Sequence, residues 1–218
     1  MQRILIICEG QTEQEFCNNL LKPYFGNKNK LIQTPLIKKS GGGIVPWWNL
    51  KNQIEKHLLQ EKNAYVTTFI DYFGLGDSFP AWEESKRLND KNKKVEMLEK
   101  AMKDDLPNNL QDRFLPYIQL HEFESLLFYD MSIFEKWILE KDILDKQNLT
   151  DTLKSYSNSE LINDTNPPSY RLKQSIKGYD KVLCGSIFAM EIGLENIKIR
   201  NPRFASWIEI LLNLKPLS

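Results

Sequence analysis

Residues 3–8 read RILIIC. After the arginine the run is unbroken by any polar residue, so a strand made of it has no face suited to water and must be covered on both sides. That demand points to a sheet with helices on both faces, which in a small protein means a parallel α/β sheet wound by crossover helices. The residues that follow fit the pattern. Glu9-Gly10-Gln11 interrupts the run, and Thr12 with Glu15 three places on forms a capping-box signature. Phe16, Leu20 and Tyr24 then mark one face of the helix it opens, with Cys17 and Leu21 beside them.

The alternation continues to about residue 130. Residues 31–37 read as a second strand, and Gly41-Gly42-Gly43 as a flexible loop. Trp47, Leu50, Ile54 and Leu58 have helical spacing. Residues 65–70, YVTTFI, are rich in β-branched and aromatic side chains and predict a strand that stops at Asp71. A loop with two glycines and a proline follows, then a helix marked by Val95, Leu98, Met102 and Leu106. Residues 114–120 read as a fourth strand, ending in His121-Glu122-Phe123-Glu124. Beyond that no strand signal is convincing. Phe134, Trp137 and Ile138 mark one helix, and 179–193 and 202–214 suggest two more. The expectation is an α/β core with a doubly wound, mainly parallel sheet in residues 1–130, and a helical extension in residues 131–218. Trp137, Phe188, Phe204, Trp207 and Ile208 need burial worth roughly 1.5–3 kcal/mol each, so the extension is expected to pack on the core.

Charge and cysteine content narrow the function. With 29 basic and 29 acidic residues in 218, the chain lacks the basic excess of a protein that holds nucleic acid by phosphate neutralisation alone. Contact with nucleic acid then needs a local patch, a metal or a partner. Three cysteines without CxxC spacing and two histidines argue against a disulfide framework or a zinc site. The opening has no signal-peptide pattern and no apolar stretch approaches the roughly 18 residues that span a bilayer, so a cytoplasmic protein without a membrane is expected. Ser40-Gly41-Gly42-Gly43 lacks the Gly-Lys-Ser/Thr closure of a phosphate loop, so the chain is not itself read as an ATPase.

What the strand ends carry is acidic. Glu9 closes the first strand, Glu13 lies one turn into the helix after it, Asp71 closes the third strand, and Glu122 and Glu124 follow the fourth. In a parallel sheet, ligand sites lie outside the carboxyl ends of the strands, so these acids should converge within about 10 Å, close enough to share hydrated ions. Gathered carboxylates must take up protons or a cation, and hard oxygen donors suit Mg²⁺ or Mn²⁺. Plainer roles compete: Glu13 and Glu15 suit a helix N-terminus, Glu122 and Glu124 suit a solvated helix start, and His121 suits a local hydrogen bond. His57, inside an amphipathic helix, reads as structural. Lys86, Arg87, Lys91, Lys93 and Lys94 form a basic cluster that reads as a solvated face or as phosphate steering. In the extension, Lys181 is the favoured catalytic cation beside metal-bound phosphate, with Arg171, Arg200 and Arg203 as phosphate anchors.

Taken in order, Glu9-Gly10-Gln11-Thr12-Glu13, Asp71-Tyr72-Phe73-Gly74, His121-Glu122-Phe123-Glu124, Pro168-Ser169-Tyr170-Arg171-Leu172 and Tyr179-Asp180-Lys181 resemble an uncharacterised bacterial Toprim-like family, related to the Toprim nucleases of overcoming-lysogenisation type. The likeness spans nearly the whole chain. It implies a Toprim-like core and a Mg²⁺-dependent nuclease, with Glu9 as general acid or base, Glu13 as the second acid of the nuclease-type opening, and Asp71 as the first acid of a metal-holding DxD pair. It also implies nucleic acid, DNA or RNA, as substrate and an ATPase as partner in a phage-defence pair. The position two after Asp71 is Phe73 rather than an acid, so either Glu122 and Glu124 complete the metal site or the site is weaker than in the nucleases. The alternative is a non-catalytic Toprim-like module that binds nucleic acid or an ATPase.

Overall fold

In the computed structural model of the chain, which describes residues 1–38, 43–162 and 165–217, five strands form one parallel sheet. β1 (Gln2–Cys8) has β2 (Lys30–Gln33) on one side and β3 (Ala64–Asp71) on the other; β4 (Phe114–Leu115) and β5 (Ile118–Gln119) both pair with β3. The spatial order is therefore β2-β1-β3-β4. Between β1 and β2 run α1 (Gln11–Phe16), a π-helical turn at Cys17–Leu21, and α2 (Lys22–Gly26). α3 (Trp47–Gln60) joins β2 to β3, and α4 (Trp82–Lys86), α5 (Lys91–Asp104) and α6 (Asn108–Gln111) lie between β3 and β4. The remainder is helical: α7 (Met131–Trp137), α8 (Lys146–Ser155), α9 (Pro168–Ser175), α10 (Lys181–Ile192), α11 (Leu194–Arg200) and α12 (Pro202–Asn213).

The unbroken apolar run of β1 is used on both faces. Ile4, Ile6 and Cys8 join Phe16, Cys17 and Leu21 in one cluster, while Leu5 and Ile7 join Leu50, Ile54, Leu58 and Leu98 in another. The extension covers the first of these faces: Phe188, Phe204, Trp207, Ile208 and Leu211 are buried in the same cluster as Ile4 and Phe69. Trp137 is an exception to the expected burial. It is 49% exposed, and its indole nitrogen donates to Glu191 Oε2 at 3.1 Å, because it ends α7 at the surface. Among the described residues, no helix is long and apolar enough to cross a membrane.

The expected elements need four corrections. The second strand stops at Gln33 because Pro35 cannot donate to the ladder; pairing resumes only as a bridge between Cys8 and Leu36. The fourth strand is split at Pro116 for the same reason. Helix α1 is capped at Gly10, two residues earlier than the Thr12–Glu15 signature: Glu13 Oε2 accepts from the Gly10 N–H at 2.9 Å, while Glu15 accepts from Asn19 at 3.3 Å. The π-turn rotates the buried face, so Phe16, Cys17, Leu21 and Phe25 point inward while Leu20 and Tyr24 are only partly covered.

Candidate functional site

β2 and β3 flank β1 on opposite sides, and the helices that lead to them cover opposite faces. The carboxyl ends of β1 and β3 therefore part at the point where the winding reverses, which is where open α/β sheets hold their ligands. Glu9 and Asp71 enter that crevice from the two strands. Glu9 Oε2 accepts from the Asp71 N–H at 2.8 Å, while the Glu9 N–H donates to Phe69 O at 3.1 Å, so one residue ties both strand ends. The Tyr72–Gly74 turn folds over them, held by Phe73 N donating to His121 O at 3.2 Å. Gly74 allows that closeness: a Cβ there would lie 3.4 Å from Glu9 Oε1 and 3.3 Å from Ile44 Cγ2.

Two further acids and one lysine complete the cluster. Glu13, in the first turn of α1, spends Oε2 on the Gly10 amide and is buried. Glu124 is buried in a 3₁₀ turn, Phe123–Leu127. Lys181 opens α10, whose N-terminus is capped by Asp180 accepting from Leu183 N at 2.7 Å. Its Nζ lies 3.3 Å from Glu124 Oε2, 3.4 Å from Asp71 Oδ2 and 3.6 Å from Glu13 Oε1. One turn along α10, Gly185 lets the helix settle: a Cβ there would stand 3.1 Å from Phe123 Cε1 and 3.4 Å from Thr12 Cγ2. A glycine inside a helix costs roughly 0.5–1 kcal/mol against alanine; here it brings α10 close enough to α1 to deliver the ammonium.

Four acids around one lysine is an unbalanced arrangement. Asp71 is 7% exposed, Glu13 3% and Glu124 1%. Burial, reinforced by the neighbouring acids, pushes Asp71 well above the usual carboxylate range. Burial raises Glu9, opposed by the Asp71 amide, and raises Glu124, opposed by Lys181. Burial works against the charge on Lys181, but Asp71, Glu124 and Glu13 together outweigh it and hold its pKa above the ordinary lysine value. Among the described residues, Asp71 Oδ1 and Glu124 Oε1 have no hydrogen-bond partner, and Glu13 Oε1 and Glu124 Oε2 have only the Lys181 ammonium beside them. Buried oxygens left this way are costly, and they are hard donors of the kind Mg²⁺ and Mn²⁺ take. The described side chains form no group of three or more His, Cys, Asp or Glu placed to hold a metal ion. They surround an ammonium at 3.3–3.6 Å, wider than the roughly 2.0–2.1 Å of a magnesium–oxygen bond.

Other residues singled out in the sequence lie elsewhere or are engaged differently. Glu122 Oε2 accepts from Ser169 N at 2.9 Å and so caps the start of α9. The three arginines are structural ties within and beneath the extension rather than parts of the crevice. Arg171 donates to Asn166 O and Thr152 Oγ1, both at 2.8 Å. Arg200 Nη2 donates to Leu153 O and Tyr156 O at 2.9 and 2.7 Å. Arg203 Nη2 pairs with Glu99 Oε1 at 2.7 Å. His121 is buried with a left-handed φ of 66°, its Nε2 3.0 Å from Lys91 Nζ, so this part of the basic cluster reaches the sheet's end. Lys86 instead pairs with Glu83 at 2.6 Å on the surface. His57 is half-buried on α3, and burial lowers its pKa. Ser40, Gly41 and Gly42 of the glycine run lie outside the described residues. Sequence reasoning missed Gly185 and the Lys91–His121 contact. The first was signalled by a glycine within an apolar helical stretch; the second had no signal.

The doubly wound parallel sheet, the acidic crevice where its winding reverses and the helical layer over one face define the class: an α/β protein with its candidate site at the carboxyl ends of the strands. The chain belongs to the family described as Domain of unknown function (DUF4276), which matches residues 8–212, from the end of β1 through nearly all of α12. No curated protein matches the chain, and no solved structure does.

Proposed function

We propose that the protein is a Mg²⁺- or Mn²⁺-dependent, Toprim-like nuclease acting on the phosphodiesters of nucleic acid. The observation that carries this reading is the convergence of Glu9 and Glu13 from the β1–α1 connection with Asp71 and Glu124, leaving buried Asp71 Oδ1 and Glu124 Oε1 without a partner among the described residues. The likeness of the EGQTE, DYFG and HEFE segments to Toprim nucleases supports it. Glu9, Asp71 and Glu124 are the residues to hold the ion, with Glu122 orienting the Glu124 turn through its bond to α9. A bound divalent ion supplies Lewis acidity, acidifying water and offsetting phosphate charge. Glu13, fixed by the Gly10 amide, accepts a proton from the attacking water. Lys181 serves as a mobile point cation for the phosphate oxygens.

A second reading is a non-catalytic Toprim-like module that binds nucleic acid or an ATPase partner. It is favoured by Phe73, which occupies the place of a second DxD acid and is 65% exposed, and by Lys181, which already neutralises part of the cluster. One experiment separates the two. Plasmid, single-stranded DNA and RNA are incubated with wild-type protein and Mg²⁺, Mn²⁺ or chelator, beside Glu9→Gln and Asp71→Asn. The nuclease reading expects cleavage only with metal and a loss of at least about a hundredfold in both variants. Asp71→Asn should melt no lower than wild type, since it removes one charge from a repelling cluster. Binding without cleavage of any substrate selects the second reading, and unfolding of Asp71→Asn makes Asp71 structural.

A further inference from the structure

The segment that leads into α10 and Lys181 buries a donor without a partner among the described residues. Gly178, with a left-handed φ of 69°, turns the chain out of α9, and Tyr179 follows immediately before the Asp180 cap and Lys181. The ring of Tyr179 packs against the cluster beneath the sheet. Its hydroxyl is buried and has no hydrogen-bond partner among the described residues. Burial, then the negative charge of Glu124, holds this phenol protonated well beyond the usual tyrosine range, so it keeps an O–H to donate. Glu124, its neighbour in charge, has one buried oxygen, Oε1, without a partner among the described residues, and its Oε2 has the Lys181 ammonium at 3.3 Å.

A buried donor two residues before Lys181, and buried acceptors around that lysine, define what would satisfy them together. The carboxylate side wants a cation. The side built by Tyr179 and Lys181 offers an O–H and an ammonium, which suit an oxyanion. Arg171, Arg200 and Arg203, the more obvious anion ligands, are held by the extension's own carbonyls, Thr152 and Glu99. We propose that Tyr179 and Lys181 form an oxyanion seat beside the carboxylate cluster, with Tyr179 Oη donating to a non-bridging oxygen of a phosphate group. The inference rests on the metal-dependent reading above and specifies which groups of this chain hold the phosphate.

The test is thermal unfolding with Mn²⁺ alone and with Mn²⁺ plus dimethyl phosphate as a minimal phosphodiester anion. Wild type should be stabilised by Mn²⁺ and further stabilised by dimethyl phosphate. Tyr179→Phe keeps the ring and removes only the hydroxyl. It should keep the Mn²⁺ shift, bind dimethyl phosphate about tenfold more weakly, and melt unliganded no lower than wild type because an unsatisfied buried donor has gone. An unchanged dimethyl phosphate shift in Tyr179→Phe overturns the seat, as does a wild type that responds to Mn²⁺ but not to the anion. A drop in the unliganded melting temperature of Tyr179→Phe makes the residue structural and overturns it too. A wild type with no Mn²⁺ shift refutes the metal reading itself, and the seat with it.

Discussion

Glu99, partly buried, and the buried crevice acids are neutralised differently. Glu99 has a dedicated arginine, Arg203 at 2.7 Å, and a backbone donor, Ile118 N at 2.9 Å. Burial still outweighs both and pushes its carboxyl up to about 7 from an ordinary 4.5. Below about pH 4.5 the carboxyl is protonated folded or unfolded. Between that and about pH 7 only the folded chain keeps the proton, so stability falls as pH rises through this window; above it the full penalty is present. Urea unfolding at about pH 5 and pH 8 should show wild type losing stability with rising pH. Glu99→Gln, neutral throughout, should lose part of that slope, and a variant with the wild-type pH dependence would remove Glu99 as its source. At this scale the sequence reveals acids more readily than their partners. Glu9 and Asp71 are legible because each ends an apolar strand. Arg203 is not, because an arginine that pairs with a partly buried glutamate and one that anchors a phosphate have the same letter and similar surroundings along the chain.

The split between β4 and β5 shows how an element survives an awkward residue. Pro116 breaks the fourth strand, and the two threonines of β3 repair the break from the side. Thr67 Oγ1 donates to Leu115 O at 2.5 Å, and Thr68 Oγ1 lies 2.9 Å from both Tyr117 O and Tyr117 N, donating to the first and accepting from the second. Thr68→Val keeps the shape and removes the hydroxyl, leaving two buried backbone groups unpaired. It should cost about 1–3 kcal/mol, at roughly 2–4 °C per kcal/mol for a chain of this size. Differential scanning calorimetry checks this, and an unchanged melting temperature would mean that the backbone finds other partners. The same contrast explains which elements the sequence discloses. β1, β3, α3 and α5 bury long stripes of apolar residues, and their periods stand out. α8 buries only Leu149 and Thr152, and α9 buries Pro168, Leu172 and Ser175. With so little apolar face there is no period to read, and tertiary contacts settle these helices.

Across the whole molecule, the change of secondary structure near residue 130 is not a boundary in the core. Phe188, Phe204 and Trp207 share one cluster with Ile4, Ile6 and Phe69, and Trp207 Nε1 donates to Thr67 Oγ1 at 2.9 Å. Residues 1–130 made alone would expose one face of the sheet. They should bind a hydrophobic dye and melt without a cooperative transition, whereas a sharp calorimetric transition would show that the sheet stands unaided. The placement of Lys181 has a further consequence. A ribosome delivers Glu9, Glu13, Asp71 and Glu124 before Lys181, the lysine that sits among them. Until α10 emerges and closes against α1, the nascent chain holds mutually repelling acids beside an uncovered sheet face. A chain cut short by stalled translation or proteolysis before α10 would carry every carboxylate of the crevice and lack the ammonium between them. On the function proposed above, any hydrolytic capacity would arrive only once α10 has been made, so fragments that stop short of it would be harmless to the nucleic acid around them.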